Sequence, residues 1–161
     1  MGAVFMAGCH SSNIRTSISR NATPSELREY RVAVISSAQT PESIAFSDML
    51  TTELLPLGFR VIERNRLAAI LAEQQMSISG IIERADYEVL GKIAELDAVF
   101  IFMAKYNGET IGACVLKLVD VKTGEVLLST TYDKSLSKDN QGLPMSRVVR
   151  NISDSISGYL R

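Results

Sequence analysis

Residues 97–131 constrain this chain most. They read Asp97-Ala-Val-Phe-Ile-Phe-Met-Ala-Lys-Tyr, Asn107-Gly-Glu-Thr, Ile111-Gly-Ala-Cys-Val-Leu-Lys-Leu-Val-Asp-Val, Lys122-Thr-Gly, and Glu125-Val-Leu-Leu-Ser-Thr-Thr131. Three strands joined by two short turns follow from this pattern. Asn107-Gly108 is a hairpin signal because both residues tolerate a positive φ. Lys122-Thr123-Gly124 fits a type I turn closed by a glycine in the left-handed region. A three-stranded meander leaves an apolar face bare, so the remaining chain must supply a cover.

The flanking segments provide it. Arg31-Val-Ala-Val-Ile-Ser36 is a short β-branched run and reads as a buried strand. Thr40 caps a helix with Pro41 at its first position, and Phe46, Met49, Leu50, Leu54 and Leu57 give it an apolar side. Pro56 and Gly58 end it, and Phe59-Arg-Val-Ile62 is a second strand, completing a βαβ-like unit. Asn65 can cap a helix carrying Leu67, Ile70 and Leu71, which stops before Ser79-Gly80. Asp86 caps another with Leu90, Ile93 and Ala94. After a polar break from Lys134 to Gly142, Met145, Val148, Val149, Ile152, Ile156 and Tyr159 recur at helical spacing. Residues 31–36 and 98–103 are nearly continuous apolar runs and should be central strands covered on both faces. The expected fold is α/β: a five-stranded mixed sheet, built from the βαβ unit and a C-terminal antiparallel meander, with helices packed against it.

At 161 residues and 46% hydrophobic, the chain can bury one real core. A formal net charge of −1 gives no electrostatic case for nucleic acid as a partner. No run of about 18 apolar residues is present to span a bilayer as a helix. Of the two cysteines, Cys114 lies mid-strand and reads as a small buried hydrophobe. Cys9 is different. It follows Met1-Gly-Ala-Val-Phe-Met-Ala-Gly8, an apolar run ending in small residues. Met6-Ala7-Gly8-Cys9 looks like a lipobox, in which small residues fit a signal peptidase and the thiol accepts a diacylglyceryl group. The run is short and no Lys or Arg precedes it, so residues 1–8 read as the remnant of a lipoprotein signal peptide. Residues 9–30, rich in Ser, Asn, Thr and Arg, read as a lipid-anchored flexible linker. Such a linker reaches about 65–70 Å fully stretched. Residues 31–161 form the folded domain.

Two stretches together carry a family likeness. One is Gly58-Phe-Arg-Val-Ile-Glu-Arg-Asn-Arg-Leu-Ala-Ala-Ile-Leu-Ala-Glu-Gln-Gln-Met-Ser-Ile-Ser-Gly80; the other is Leu96-Asp-Ala-Val-Phe-Ile101 followed by Leu118-Val-Asp-Val-Lys-Thr-Gly-Glu-Val-Leu-Leu-Ser129. In order, and behind a lipobox, they resemble the CsgG family of curli production, assembly and transport lipoproteins. The resemblance implies a periplasmic α/β domain. In the curli secretion channel, transmembrane hairpins lie between the strands matching 98–106 and 111–121, and again after residue 131. A membrane strand needs about 9–11 residues and a hairpin twice that. Neither position here has the room, so no pore is expected from this chain alone. Hairpin-free relatives include an outer-membrane activator of penicillin-binding proteins and a flagellar outer-membrane protein.

Little catalytic chemistry is legible. No phosphate-binding glycine loop and no His/Cys cluster with metal spacing occurs, so neither a cofactor nor a metal is expected. The single histidine, His10, lies beside Cys9, away from any strand or helix. Glu63, Glu73, Glu83, Asp86 and Glu88 sit at helix ends and on polar faces. The Glu63-Arg-Asn-Arg66 cluster reads either as strand-exit chemistry or as a polar docking surface through Arg64 and Arg66. Gln75, Met76 and Ile78 either add contact surface or fold back onto the sheet. The expectation is a non-enzymatic, lipid-anchored interaction module on the periplasmic side of the outer membrane. Its partners would be envelope proteins of a secretion or assembly system, with a homo-oligomer also open. The alternatives are an accessory of a wall synthase or flagellar basal body, and an enzyme or small-ligand binder, which needs a polar pocket with a perturbed titratable group.

Overall fold

The computed structural model describes residues 13–36, 38–136 and 141–161; Cys9 and His10 lie outside them. Its strands are β1 (Ile14–Ile18), β2 (Arg31–Ser36), β3 (Arg60–Ile62), β4 (Ala98–Asn107), β5 (Thr110–Asp120), β6 (Val126–Asp133) and β7 (Leu143–Pro144). Its helices are α1 (Pro24–Glu29), α2 (Pro41–Leu54), α3 (Arg64–Glu73), α4 (Ile78–Arg84), α5 (Tyr87–Ile93) and α6 (Met145–Leu160). The sheet is mixed and its order is β1-β6-β5-β4-β2-β3, with β7 paired to β5. It therefore has seven strands, not the expected five.

The extra strands correct the reading of residues 9–30 as a linker. From Asn13 onward this segment is part of the fold. β1 lies antiparallel on β6, with Ile14 opposite Tyr132 and Ile18 opposite Leu128. Leu27 of α1 is 1% exposed. An edge strand covered on one face needs an apolar residue only at alternate positions. Ile14 and Ile18 supply them against the first core, while Arg15 and Ser17 face outward. A search for sustained apolar runs passes over such a strand.

Alternation along the strands divides the interior in two. Val32, Val34, Phe100, Phe102, Leu116, Leu118, Leu128 and Tyr132 point to one side and meet α2 and α6. Thr40 caps α2 by accepting a hydrogen bond from the Ser43 N–H at 3.3 Å. Phe46 of α2 packs on Phe102 with ring centroids 4.6 Å apart. Ser153 of α6 donates to the Glu53 carbonyl at 3.2 Å, tying the two helices together. On the other side, Ala33, Ile35, Val99, Val119 and Val121 meet Leu67, Leu71, Ile81 and Leu90 of α3, α4 and α5. As expected, β2 and the lower half of β4 are central and covered on both faces.

The turns differ in detail from the sequence reading. Asn107 pairs with Thr110, so the two-residue turn is Gly108-Glu109, with Gly108 at φ 58°. Positive φ at the first central position only is the type II′ pattern. Lys105 pairs with Ala113 and Tyr106 with Ile111, leaving Gly112 as a bulge. In the second turn the Asp120 Oδ1 accepts from the N–H groups of Lys122 and Thr123, both at 2.8 Å, and Gly124 sits at φ 72°. Asn65 is not a cap: α3 begins at Arg64 with Glu63 at the N-cap position. Helix α4 runs through Ser79-Gly80, where a break was expected; Ser77 caps it by accepting from the Gly80 N–H at 3.1 Å.

Candidate docking surfaces

Chain direction and register define two ends of the sheet. β2, β3, β4 and β6 run one way, β1 and β5 the other. The upper end holds the Gly108-Glu109 turn and the 3₁₀ turn Lys134–Leu136. The lower end holds the Lys122–Gly124 turn and the start of β2 and β4.

β4 outruns its neighbour. Ser36, the last residue of β2, lies opposite Phe102. Helices α4 and α5 leave part of the second face open, from Met103 across Val115 and Lys117 to Val126. Met103, the residue after Phe102, is 66% exposed, against an expected fully covered run to that position. An apolar groove of about 270 Å³ opens there. Its walls include Ile82 of α4, Tyr87 of α5, Met103, Val115 and Val126, and Lys117 stands at its rim. Met103 and Val126 were not singled out in the sequence. Nothing in a nearly continuous apolar strand tells which residue passes beyond its cover.

A second groove, about 670 Å³, runs along the free edge of β3 between Leu55, Phe59, Val61, Glu63 and Arg66. Leu55 is 55% exposed there. This groove brings in one residue of the expected docking set. Arg66 is exposed, and Arg64 is half-buried and donates to the Gln39 side chain at 3.4 Å. The rest of that set divides. Gln75 is exposed at φ 56° and turns the chain at the end of α3. The Met76 N–H then returns to the Leu71 carbonyl at 2.9 Å, a Schellman closure. That closure folds Met76 back against the second core, and Ile78 is only 9% exposed within it. Of the two readings left open for Met76 and Ile78, packing against the sheet is the one observed.

A polar basin of about 630 Å³ lies at the lower end, bordered by Glu26, Tyr30, Arg60, Asp97, Asp120 and Lys122. Burial, then the nearby Asp120, Glu26 and Asp97 carboxylates, raises the Tyr30 pKa. Asp97 accepts from the Arg31 backbone N–H at 2.8 Å, and Asp120 holds the adjacent turn. These carboxylates are thus engaged by backbone donors. Among the described residues no group of His, Cys, Asp and Glu is arranged to hold a metal ion. Burial also pushes the Cys114 thiol up to about 12. No helix of the described residues is long and apolar enough to cross a membrane.

Fold and surfaces together define an α/β domain with helices on both faces of a mixed sheet and a sheet face left partly open. The chain belongs to the CsgG family: the model for the curli production assembly/transport component CsgG matches residues 11–104, more than half of it. No curated protein matches by sequence. Solved structures share the fold. The lipoprotein GNA1162 from Neisseria meningitidis is 17% identical, with a TM-score of 0.55, covering 81% of this chain and 99% of its own. The PelC dodecamer from Paraburkholderia phytofirmans is 14% identical, TM-score 0.50, over 91% of this chain and 95% of that one. The LpoB C-terminal domain from Salmonella enterica is 16% identical, TM-score 0.51, over 70% and 84%.

Proposed function

We propose that this chain is a lipid-anchored periplasmic interaction module of a bacterial envelope assembly or secretion system, of the curli-transport kind, and not itself a pore. The observation that carries the reading is the uncovered part of the second sheet face. There Met103 stands 66% exposed opposite Val115, in a groove that reaches across to Val126 at the start of β6. Exposed apolar surface of this kind, rimmed by polar residues, serves protein contact. Membership of the CsgG family supports an envelope setting. The two-residue Gly108-Glu109 turn supports the absence of a pore, since a membrane hairpin needs about 20 residues at that place. Cys9 is the lipidation site in this proposal, and the outer membrane is its location. Arg66 adds a polar contact at the β3-edge groove, and Arg64 and Gln75 are further candidate contacts outside it; Ile78 is only 9% exposed. No catalytic residue, cofactor or metal is assigned.

The fold likeness to the PelC dodecamer supports a second copy of the chain as one partner. The alternative is an accessory lipoprotein of a penicillin-binding protein or of the flagellar basal body, and the closed turn favours it equally. A crosslinked pull-down from envelope membranes, with wild type, Met103→Asp and Cys9→Ser, tests the proposal. Wild type should capture a defined set of envelope proteins, Met103→Asp should lose it, and Cys9→Ser should leave the membrane fraction. Cys9→Ser fractionating like wild type would refute the anchor, and conducting rings from the purified protein would refute the no-pore statement.

A further inference from the structure

We infer that the upper end of the sheet, carrying the Gly108-Glu109 turn, is the face the protein presents to the lipid bilayer. The inference rests on the reading of Cys9 as the anchored residue and adds an orientation to it. It follows from the place of Asn13, the first described residue. The Asp133 N–H donates to the Asn13 carbonyl at 3.1 Å, which extends the β1–β6 ladder by one step. Asp133 lies opposite Ala113, and Ala113 opposite Lys105. Asn13 is therefore level with Lys105, two residues short of the turn, or about 7 Å along the strand.

Four peptide units join Cys9 to Asn13 and reach at most about 14 Å. A linker of residues 9–30 would have let the domain roam by several times that distance. With β1 zipped into the sheet, a lipid on Cys9 instead holds the upper end within about 14 Å of the headgroups. The lower end stands about 30 Å further away, the length of β4.

The side chains at the two ends suit this direction. The upper end carries Arg15, Lys105 and Lys134 against Glu109 and Asp133, and Leu136 there is 38% exposed. The lower end gathers Glu26, Glu29, Asp97 and Asp120 around its basin, against Arg60 and Lys122. An anionic lipid surface attracts the first set and repels the second within a Debye length. The basin then opens toward the periplasm, where soluble partners can reach it.

The test uses the full chain with Cys9 as its first residue, processed in a Gram-negative host and reconstituted into phosphatidylethanolamine/phosphatidylglycerol vesicles. A donor dye is placed through Glu109→Cys or Lys122→Cys, both exposed turn positions, while Cys114 is buried. An acceptor dye sits on the lipid headgroups, and mass spectrometry reads the modification of Cys9. The expected result is a lipidated Cys9 with energy transfer from position 109 several-fold greater than from position 122. A lipidated Cys9 with equal transfer from both, or more from 122, overturns the orientation and leaves the anchor standing. An unmodified Cys9 overturns the anchor and the orientation with it.

Discussion

Gly91 tests the packing of the second face quantitatively. It lies inside α5, where alanine is ordinarily better than glycine by about 1 kcal/mol. A Cβ at this position would meet Val121 Cγ2 at 2.7 Å and the Leu96 carbonyl at 3.4 Å. Val121 is 2% exposed and β-branched, so its side chain has no free rotamer to yield into. Overpacking of this kind costs about 1–3 kcal/mol. Subtracting the propensity gain leaves Gly91→Ala destabilised by up to about 2 kcal/mol, or a fall in thermal midpoint of up to about 6 °C. Gly158 in α6 is the control, since a Cβ there meets nothing within 4 Å. Gly158→Ala should gain about 0.5 kcal/mol. Guanidinium and thermal unfolding of both variants measure the pair. A Gly91→Ala protein stabilised as much as Gly158→Ala would refute the close approach of α5 to Val121.

Other consequences are as direct. Asp97→Ala removes the acceptor of the Arg31 N–H at 2.8 Å, where β2 and β4 begin, and should cost about 2 kcal/mol in guanidinium unfolding. Among the described residues the buried Tyr106 hydroxyl has no hydrogen-bond partner, so Tyr106→Phe should raise stability by about 1 kcal/mol at pH 7. Burial pushes the pKa of Tyr106 and of Cys114 up to about 12, above their unfolded values of about 10 and 8.5. Their contribution is complete below those unfolded values and is lost as pH rises through the folded ones. Stability should therefore decline from about pH 9 toward pH 12, less steeply in Tyr106→Phe, as unfolding curves across that range will show. Cys114 should resist a thiol reagent at pH 8 until denaturant is added, and rapid labelling of the folded protein would contradict its burial.

The parts of the fold visible in the sequence are those whose signal is local. β4, β5 and β6 carry long apolar runs separated by glycine turns, and α6 repeats its apolar side chains for four turns. Thr40 and Pro41 mark the start of α2 without help from the rest of the chain. β1 and β7 escape because pairing, rather than composition, makes them strands. Thr16 illustrates this: its hydroxyl meets Thr130 at 2.9 Å, and its carbonyl accepts from the Tyr159 hydroxyl at 2.8 Å, more than a hundred residues away in sequence. The docking surfaces divide in the same way. Arg66 reads as a surface arginine and is one. Met76 and Ile78 turn inward because Gln75 adopts a left-handed conformation that glycine usually marks. Met103 is exposed because its part of the second face lacks a covering helix, as at Val126 on β6, and nothing within an apolar strand marks where that cover stops.

The most direct measurement of the proposed role is site-specific photocrosslinking in intact cells from a probe at position 103, with position 158 on the outside of α6 as reference. An interaction module that uses its open sheet face should give one discrete adduct from position 103, to a defined envelope protein or a second copy of the chain. Position 158 should give none of it. An adduct pattern from position 103 no different from that at position 158 would contradict the docking role of this face.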